Sequence, residues 1–162
     1  MLFHFIEVFM NAVKVGEKVP NFQLVDQNGN MFYLESVLGK NNLIIYFYPK
    51  DFTPGCTAEA CAFQNMHNDF KDLDAEIIGI SSDSVETHLK FAKKYNLTFT
   101  LLSDEDNKVK MKFGIVDSFF GLISSRITFV VDKKGIIRNV FNSQINIKKH
   151  IRSALDALNT LS

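Results

Sequence analysis

The sequence predicts an α/β protein, a central mixed sheet with helices on both faces. Three observations carry that prediction. Leu43 to Tyr48 and Ile77 to Ile80 are short, continuous apolar runs, the pattern of strands buried on both faces. Each is followed by apolar residues at helical spacing, as in parallel strands joined by right-handed crossovers. Near the C-terminus, two apolar strands flank Asp132-Lys133-Lys134-Gly135, a hairpin turn that ends in glycine. The 162 residues are one domain's worth of chain, enough to bury a core without covalent staples. Residues 13–162 are read as that domain and residues 1–12 as an N-terminal extension.

Residues 1–10 are apolar but short, and His4 and Glu7 interrupt them. Without a basic start or a small-residue cleavage site they make a poor secretory signal. Met10 offers a second start; equally, the segment can dock as an extra strand or helix. Phe22 to Leu24 and Met31 to Leu34 read as strands around an Asn28-Gly29 turn. The central strand Leu43 to Tyr48 ends at Pro49. Residues 54 to about 72 read as one helix, with Cys61, Ala62, Met66, Phe70 and Leu73 on its apolar stripe. The second buried strand, Ile77 to Ile80, precedes a capping-box signal, Asp83 with Glu86, that opens a helix carrying Val85, Leu89 and Ala92. Thr98 to Leu102 reads as a short strand, and Asp104 to Phe113 as a turn or two of helix stopped by Gly114. Strands at Ile127 to Val131 and Ile136 to Phe141 form the hairpin. Ile147, Ile151, Ala154, Leu155, Leu158 and Leu161 make a last amphipathic helix. This order is a thioredoxin-type arrangement with extra N-terminal strands.

Composition removes several classes of function. Hydrophobic residues are 46% and charged residues 22% of the chain, which is globular rather than disordered. The formal net charge is zero, and basic residues occur at most in pairs. A nucleic-acid binder or a polybasic membrane binder needs a footprint that is missing. No apolar run reaches the length of a membrane span. Two cysteines cannot form a secreted disulfide framework and suit a reducing, cytoplasmic setting. The four histidines, His4, His67, His88 and His150, are scattered and read as surface or core-edge residues rather than metal ligands.

The sharpest chemical signal is Pro49-Lys50-Asp51-Phe52-Thr53-Pro54-Gly55-Cys56. A buried strand ends at Pro49, Thr53 is a good N-cap, and Pro54 is the preferred first helical residue. Cys56 then occupies the third helical position, among unpaired backbone N–H groups and the positive end of the helix dipole. Both favour an ionised sulfur. Gly55 leaves room for a substrate beside it. The site lies at the carboxyl end of a central strand, where open α/β sheets place their ligands.

Cys61, five residues on, reads either as a second reactive thiol or as a core cysteine. Five residues of helix turn about 500°, which leaves the side chains about 140° apart with a rise of about 7.5 Å and a Cα separation of roughly 8.7 Å. A disulfide needs less than about 7 Å. The two sulfurs therefore cannot join until the first turns unwind. That separates the pair from a CxxC dithiol exchanger, whose sulfurs lie within reach of each other. No proline follows Pro54, so the late proline that thioredoxins place opposite their active cysteine is also missing. A peroxide fits an isolated thiolate better. Charge develops on its leaving oxygen, and Thr53, the Gly55 and Cys56 amides and a cation would stabilise it. Arg126, at the start of a late strand, is the candidate cation; its alternative is a solvated strand-end charge.

Three other readings stay open on the residues alone. A thioredoxin-like disulfide reductase would reduce protein disulfides. A metal-binding thioredoxin-fold module would use both cysteines and a histidine. A non-catalytic interaction domain would leave the Thr-Pro-Gly-Cys cluster without a purpose.

Pro49, Thr53 and Cys56 form a Pro-x-x-x-Thr-x-x-Cys motif, and Arg126 stands in Arg-Ile-Thr-Phe-Val-Val-Asp. In these features the chain resembles the peroxiredoxins. Cys61, five residues past the first cysteine, is similar to their Q-type, or bacterioferritin-comigratory, subfamily. Val15 to Phe22, Ser81 to Ser84, Lys94 to Leu97 and Leu101 to Asp104 agree with it as well, so the resemblance covers roughly residues 13–160. It implies a thiol peroxidase in which Cys56 attacks hydrogen peroxide or alkyl hydroperoxides and Cys61 resolves the sulfenic acid as an intramolecular disulfide. Thr53 and Arg126 would hold sulfur and peroxide, Pro49 would shield the pocket, and Glu59 would stand behind these groups. Thioredoxin or a similar dithiol is the implied reductant, and the implied cycle requires no metal, haem or flavin cofactor. A monomer is expected, with a dimer open through the Phe-rich surface or residues 1–10. Two departures stand out. Gln64-Asn65 replace a frequent Arg-Asp, which loses an ion pair. Thr98 and Thr100 replace frequent prolines, which should loosen a loop.

Overall fold

The computed structural model describes residues 12–117 and 124–161; all but the last residue of the 1–12 extension lies outside them. Two apolar clusters lie on opposite faces of one sheet, because the central strand alternates between them. Strand β3 (Asn42–Phe47) sends Ile44 and Tyr46 to one cluster and Leu43, Ile45 and Phe47 to the other. Every residue of β3 is buried, as its unbroken apolar run demands. Its parallel neighbour is β4 (Ala75–Ser81), followed by β5 (Thr100–Ser103), also parallel.

The other neighbour of β3 is β6 (Ile127–Val131), antiparallel, which pairs in turn with β7 (Ile137–Asn142). At the far edge, β1 (Gln23–Asp26) and β2 (Met31–Tyr33) form the N-terminal hairpin, with β1 antiparallel to β5. The sheet order among the described residues is β2-β1-β5-β4-β3-β6-β7. The Asn28-Gly29 turn forms as expected. Asp26 Oδ1 accepts from the amides of Asn28 and Asn30, and Gly29 takes φ +84°.

The helices are α1 (Leu34–Val37), α2 (Pro54–Asn65), α3 (His67–Asp72), α4 (Val85–Tyr95), α5 (Lys108–Lys112) and α6 (Ile147–Asn159). Residues of α2, α3, α4 and α6 pack into the cluster with Ile44 and Tyr46; Leu34 and Val109, from α1 and α5, pack into the other.

Three expectations about these helices are corrected. Residues 54–72 form two helices, not one, because Met66 (φ −99°, ψ 10°) leaves helical geometry. The buried face of α2 is Cys56, Glu59, Ala60 and Phe63, while Cys61, Ala62 and Met66 are only half-buried. A glutamate on the inner face hid that stripe, and the break at Met66 resets its phase. The cap of α4 is Ser84, whose side chain accepts from the Thr87 amide. Asp83 instead accepts from the Asp51 amide and the Ser81 hydroxyl. The strand expected at Thr98 to Leu102 starts two residues later, because the Thr98 amide is taken by a side chain, described below.

Gly79 shows how tightly this side is packed. It pairs in register with Tyr46. A Cβ there would meet Tyr46 Cζ at 2.8 Å, Tyr46 Oη at 2.9 Å and Leu101 Cδ2 at 3.0 Å. Tyr46 itself is 1% exposed and stacks on Phe63 with ring centroids 4.6 Å apart, so it has little room to move. Gly79→Ala is therefore expected to cost about 1–3 kcal/mol by overpacking. Equilibrium denaturation checks this; an unchanged midpoint would contradict it.

Candidate active site

Cys56 lies at the third position of α2, where the chain turns from β3 through residues 48–53 into the helix. Thr53 occupies the N-cap position in extended geometry and Pro54 the first helical one. The cap differs from the expected one, since the Thr53 side chain does not cap the helix. Its hydroxyl donates to the Lys50 carbonyl at 2.7 Å, which folds the loop back on itself. The Lys50 amide thereby faces Cys56 and donates to Sγ at 3.5 Å.

Arg126 supplies the second donor. It stands just before β6, the antiparallel neighbour of β3, and its Nη2 donates to Cys56 Sγ at 3.5 Å. Its Nη1 donates to Glu59 Oε1 at 2.8 Å, and its Nε to the Gln144 carbonyl at 3.2 Å. The guanidinium thus spans two anion positions one helical turn apart on α2 and is fixed from behind by the chain beyond β7. A solvated strand-end charge is excluded, since Arg126 is 5% exposed. Burial works against its charge, but Glu59 and Cys56 more than compensate and raise its pKa.

The space beside Gly55 is not open for substrate as expected. A Cβ there would lie 3.0 Å from Arg126 Nη2, so the missing side chain admits the guanidinium. Pro49 lines a small cavity with Tyr48, Asp104 and Asp117 that is not lined by Cys56, Thr53 or Arg126, so the expected shielding of a pocket at the sulfur is not seen among the described residues.

Glu59 is fully buried. Burial pushes its carboxyl up to about 7, against the opposing pull of Arg126. Its Oε2 and the Tyr46 hydroxyl are the buried side-chain atoms without a hydrogen-bond partner among the described residues. His150 Nδ1 lies 3.8 Å from Oε2. Its Nε2 donates to the Ser143 carbonyl, and Nδ1 accepts from Thr128 Oγ1. Burial lowers its pKa, with Arg126 adding to the effect and the Ser143 bond opposing it, so this ring is neutral at pH 7.

Cys61 is half-buried on the same helix, and both cysteines are free. Pro54–Asn65 is unbroken, so the geometric bar to a disulfide between them stands. The loop expected to loosen does not. Gln64 Oε1 accepts from the Thr98 amide at 2.8 Å, and Gln64 Nε2 donates to Thr98 Oγ1 at 2.9 Å. The two departures from the family pattern meet each other. A proline at 98 would have no amide to offer; threonine offers one, and glutamine takes it.

The scattered histidines conceal two core residues, since His88 and His150 are both fully buried. Spacing in the chain gave no sign of this, because their partners lie on other elements. Asp51, Asp83 and His88 come within 4.8 Å of one another as potential cation ligands. Both ring nitrogens of His88 already face protein oxygens, so a cation there would have to displace one of these contacts.

Residues 15–140 match the model of the AhpC/TSA family. The chain belongs to the AhpC/TSA family. Over 154 residues it is 46% identical to the chloroplastic peroxiredoxin Q of Sedum lineare, covering 95% of this chain and 82% of that protein. The structure superposes on peroxidoxin BcpB from Mycobacterium tuberculosis with TM-score 0.86 and 34% identity, covering 93% and 99% of the two chains. It superposes on the Xanthomonas campestris bacterioferritin comigratory protein with TM-score 0.78 and 30% identity, covering 86% and 91%. The peroxiredoxin resemblance and the thioredoxin-like α/β fold both hold, and the chain is a thiol-dependent peroxidase.

The buried carboxyl gives a pH test. Between pH 4.5 and about 7 the folded protein takes up a proton on Glu59 that the unfolded chain does not hold. Stability therefore falls as pH rises through that window, by an amount of order 3 kcal/mol. Glu59→Gln should flatten the fall, as read by urea denaturation across those pH values. Parallel slopes for parent and variant would contradict this.

Proposed function

We propose that Cys56 is the peroxidatic cysteine and Cys61 the resolving one. The observation that carries this reading is the Cys56 sulfur held 3.5 Å from both the Arg126 guanidinium and the Lys50 amide at the start of α2. Both donors are placed to hydrogen-bond the sulfur and the negative charge that moves during attack, and the helix terminus adds to them. Cys56 is 1% exposed, so these charges act with little screening by water. A slender hydroperoxide suits so recessed a sulfur better than a bulky protein disulfide does, which weighs against disulfide reduction as the first step.

In the attack the sulfur forms a bond to one peroxide oxygen and the O–O bond breaks. The leaving oxygen takes up a proton from solvent, equal to the one the thiol released on ionising. Cys56 becomes a sulfenic acid, and the peroxide becomes water or an alcohol. Arg126 stands where charge develops on that leaving oxygen, which is where a fixed cation accelerates most. The start of α2 then unwinds, and the Cys61 sulfur displaces hydroxide from the Cys56 sulfur; the hydroxide takes up the proton that the Cys61 thiol gave up, leaving the disulfide and water. A dithiol reductant, with thioredoxin the proposed one, returns both thiols by exchange and is itself oxidised.

The substrates of this reading are hydrogen peroxide and alkyl hydroperoxides. The Xanthomonas campestris relative is described by its alkyl peroxide reduction activity, which supports the second. Resolution within one chain supports a monomer, and a reducing cytoplasm supplies the dithiol that the cycle needs.

Cys56→Ser should abolish peroxide consumption. Cys61→Ser should consume one equivalent, show a sulfenic acid by intact mass, and stall with thioredoxin as reductant. Turnover by the first variant would move the chemistry elsewhere; normal cycling by the second would remove Cys61 from the resolving role.

A further inference from the structure

The loop before α2 is pinned by a buried network that the cycle leaves without a task. Tyr48 Oη donates to Asp51 Oδ1 at 2.6 Å, and Asp51 Oδ2 lies 2.5 Å from His88 Nδ1. His88 Nε2 lies 3.0 Å from the Leu102 carbonyl oxygen. A carbonyl only accepts, so Nε2 carries a proton and donates to it. Asp51 is 3% exposed and His88 fully buried. The backbone of Asp51 is tied as well, its amide donating to Asp83 Oδ2 at 2.9 Å.

What this anchor fixes is the peptide unit between Lys50 and Asp51. Its N–H goes to Asp83, and its C=O, on Lys50, accepts from Thr53. The amide on the other side of Lys50 is the one that donates to the Cys56 sulfur. The next residue, Phe52, has φ +65°, an uncommon region for a bulky side chain that persists where the surroundings enforce it. We propose that Asp51 and His88 are positioning residues for the attack on peroxide: their buried contact holds the 49–53 loop so that the Lys50 amide meets the Cys56 sulfur. Neither touches the sulfur. The inference rests on Cys56 being the attacking residue.

The two amide isosteres of histidine separate positioning from plain packing. His88→Asn retains a donor where Nδ1 was, within reach of Asp51, and gives up Leu102. His88→Gln retains a donor for Leu102 and gives up Asp51. Both delete the ring. Stopped-flow mixing with hydrogen peroxide resolves attack from disulfide formation. Because small misplacements of reacting groups are costly, His88→Gln should slow attack about tenfold or more, without slowing disulfide formation. His88→Asn should recover attack to within about threefold of the parent. Equal rates of attack in the two variants would overturn the proposal.

If His88→Gln does not fold, Asp51→Asn and Asp51→Ser decide. The amide still bridges Tyr48 and His88, and the hydroxyl is too short to do so. Attack should survive in the first and fall in the second; equal rates again overturn the anchor. Turnover by Cys56→Ser would instead defeat the assignment of the attacking sulfur, so the two failures are distinguishable.

Discussion

One guanidinium holds the site together. Arg126 bridges the Cys56 sulfur and the Glu59 carboxylate from a position where water hardly reaches. A buried cation is tolerable only when its donors are used, and here all three nitrogens have partners. The bridge dictates much of the local design. Position 55 is glycine because a Cβ would press on the guanidinium. Position 59 is an acid on the inward face of a helix, where an apolar residue would be expected. The strand that delivers Arg126 runs antiparallel beside β3, so the end of β3 and the start of β6 converge on the same edge of the sheet.

The same arrangement constrains the proposed cycle. Cys61 shares an intact helix with Cys56, so the state that attacks peroxide cannot form the disulfide. Opening the first turn of α2 breaks the contacts of Cys56 with Arg126 and Lys50. Further along, Gln64 ties the end of α2 to Thr98, and Met66 marks where the helix already ends. The far end is thus tied to Thr98 by exposed hydrogen bonds, while the near end carries Cys56 and Ala60 into the apolar cluster and adds polar contacts at the sulfur.

Much of this was legible in the sequence. The strands at Leu43 and Ile77, the C-terminal hairpin and the last helix followed from periodicity and turn residues, because burial on one or two faces leaves a direct imprint on pattern. The meeting of Cys56 with Arg126 was legible from local spacing and family resemblance, whereas the Thr53 hydroxyl, expected to cap the helix, goes to the Lys50 carbonyl instead. What escaped were features set by tertiary partners. Glu59 on the inner face of α2 made the true stripe look polar. His88 and His150 looked scattered because Asp51, Thr128 and Ser143 approach them from other elements. The Gln64–Thr98 contact looked like two independent departures. Asp83 resembled a cap because its real partner, the Asp51 amide, lies 32 positions away in the chain.

The central claim is that one planar cation must reach sulfur and carboxylate together, a task for which a lysine ammonium lacks the fork. The most direct test is the second-order rate of Cys56 with hydrogen peroxide in Arg126→Lys, measured by stopped flow on protein shown to be folded. Loss of a positioned donor predicts a fall of about a hundredfold or more. A rate within about threefold of the parent would mean that positive charge alone suffices, and the bridging account would be wrong.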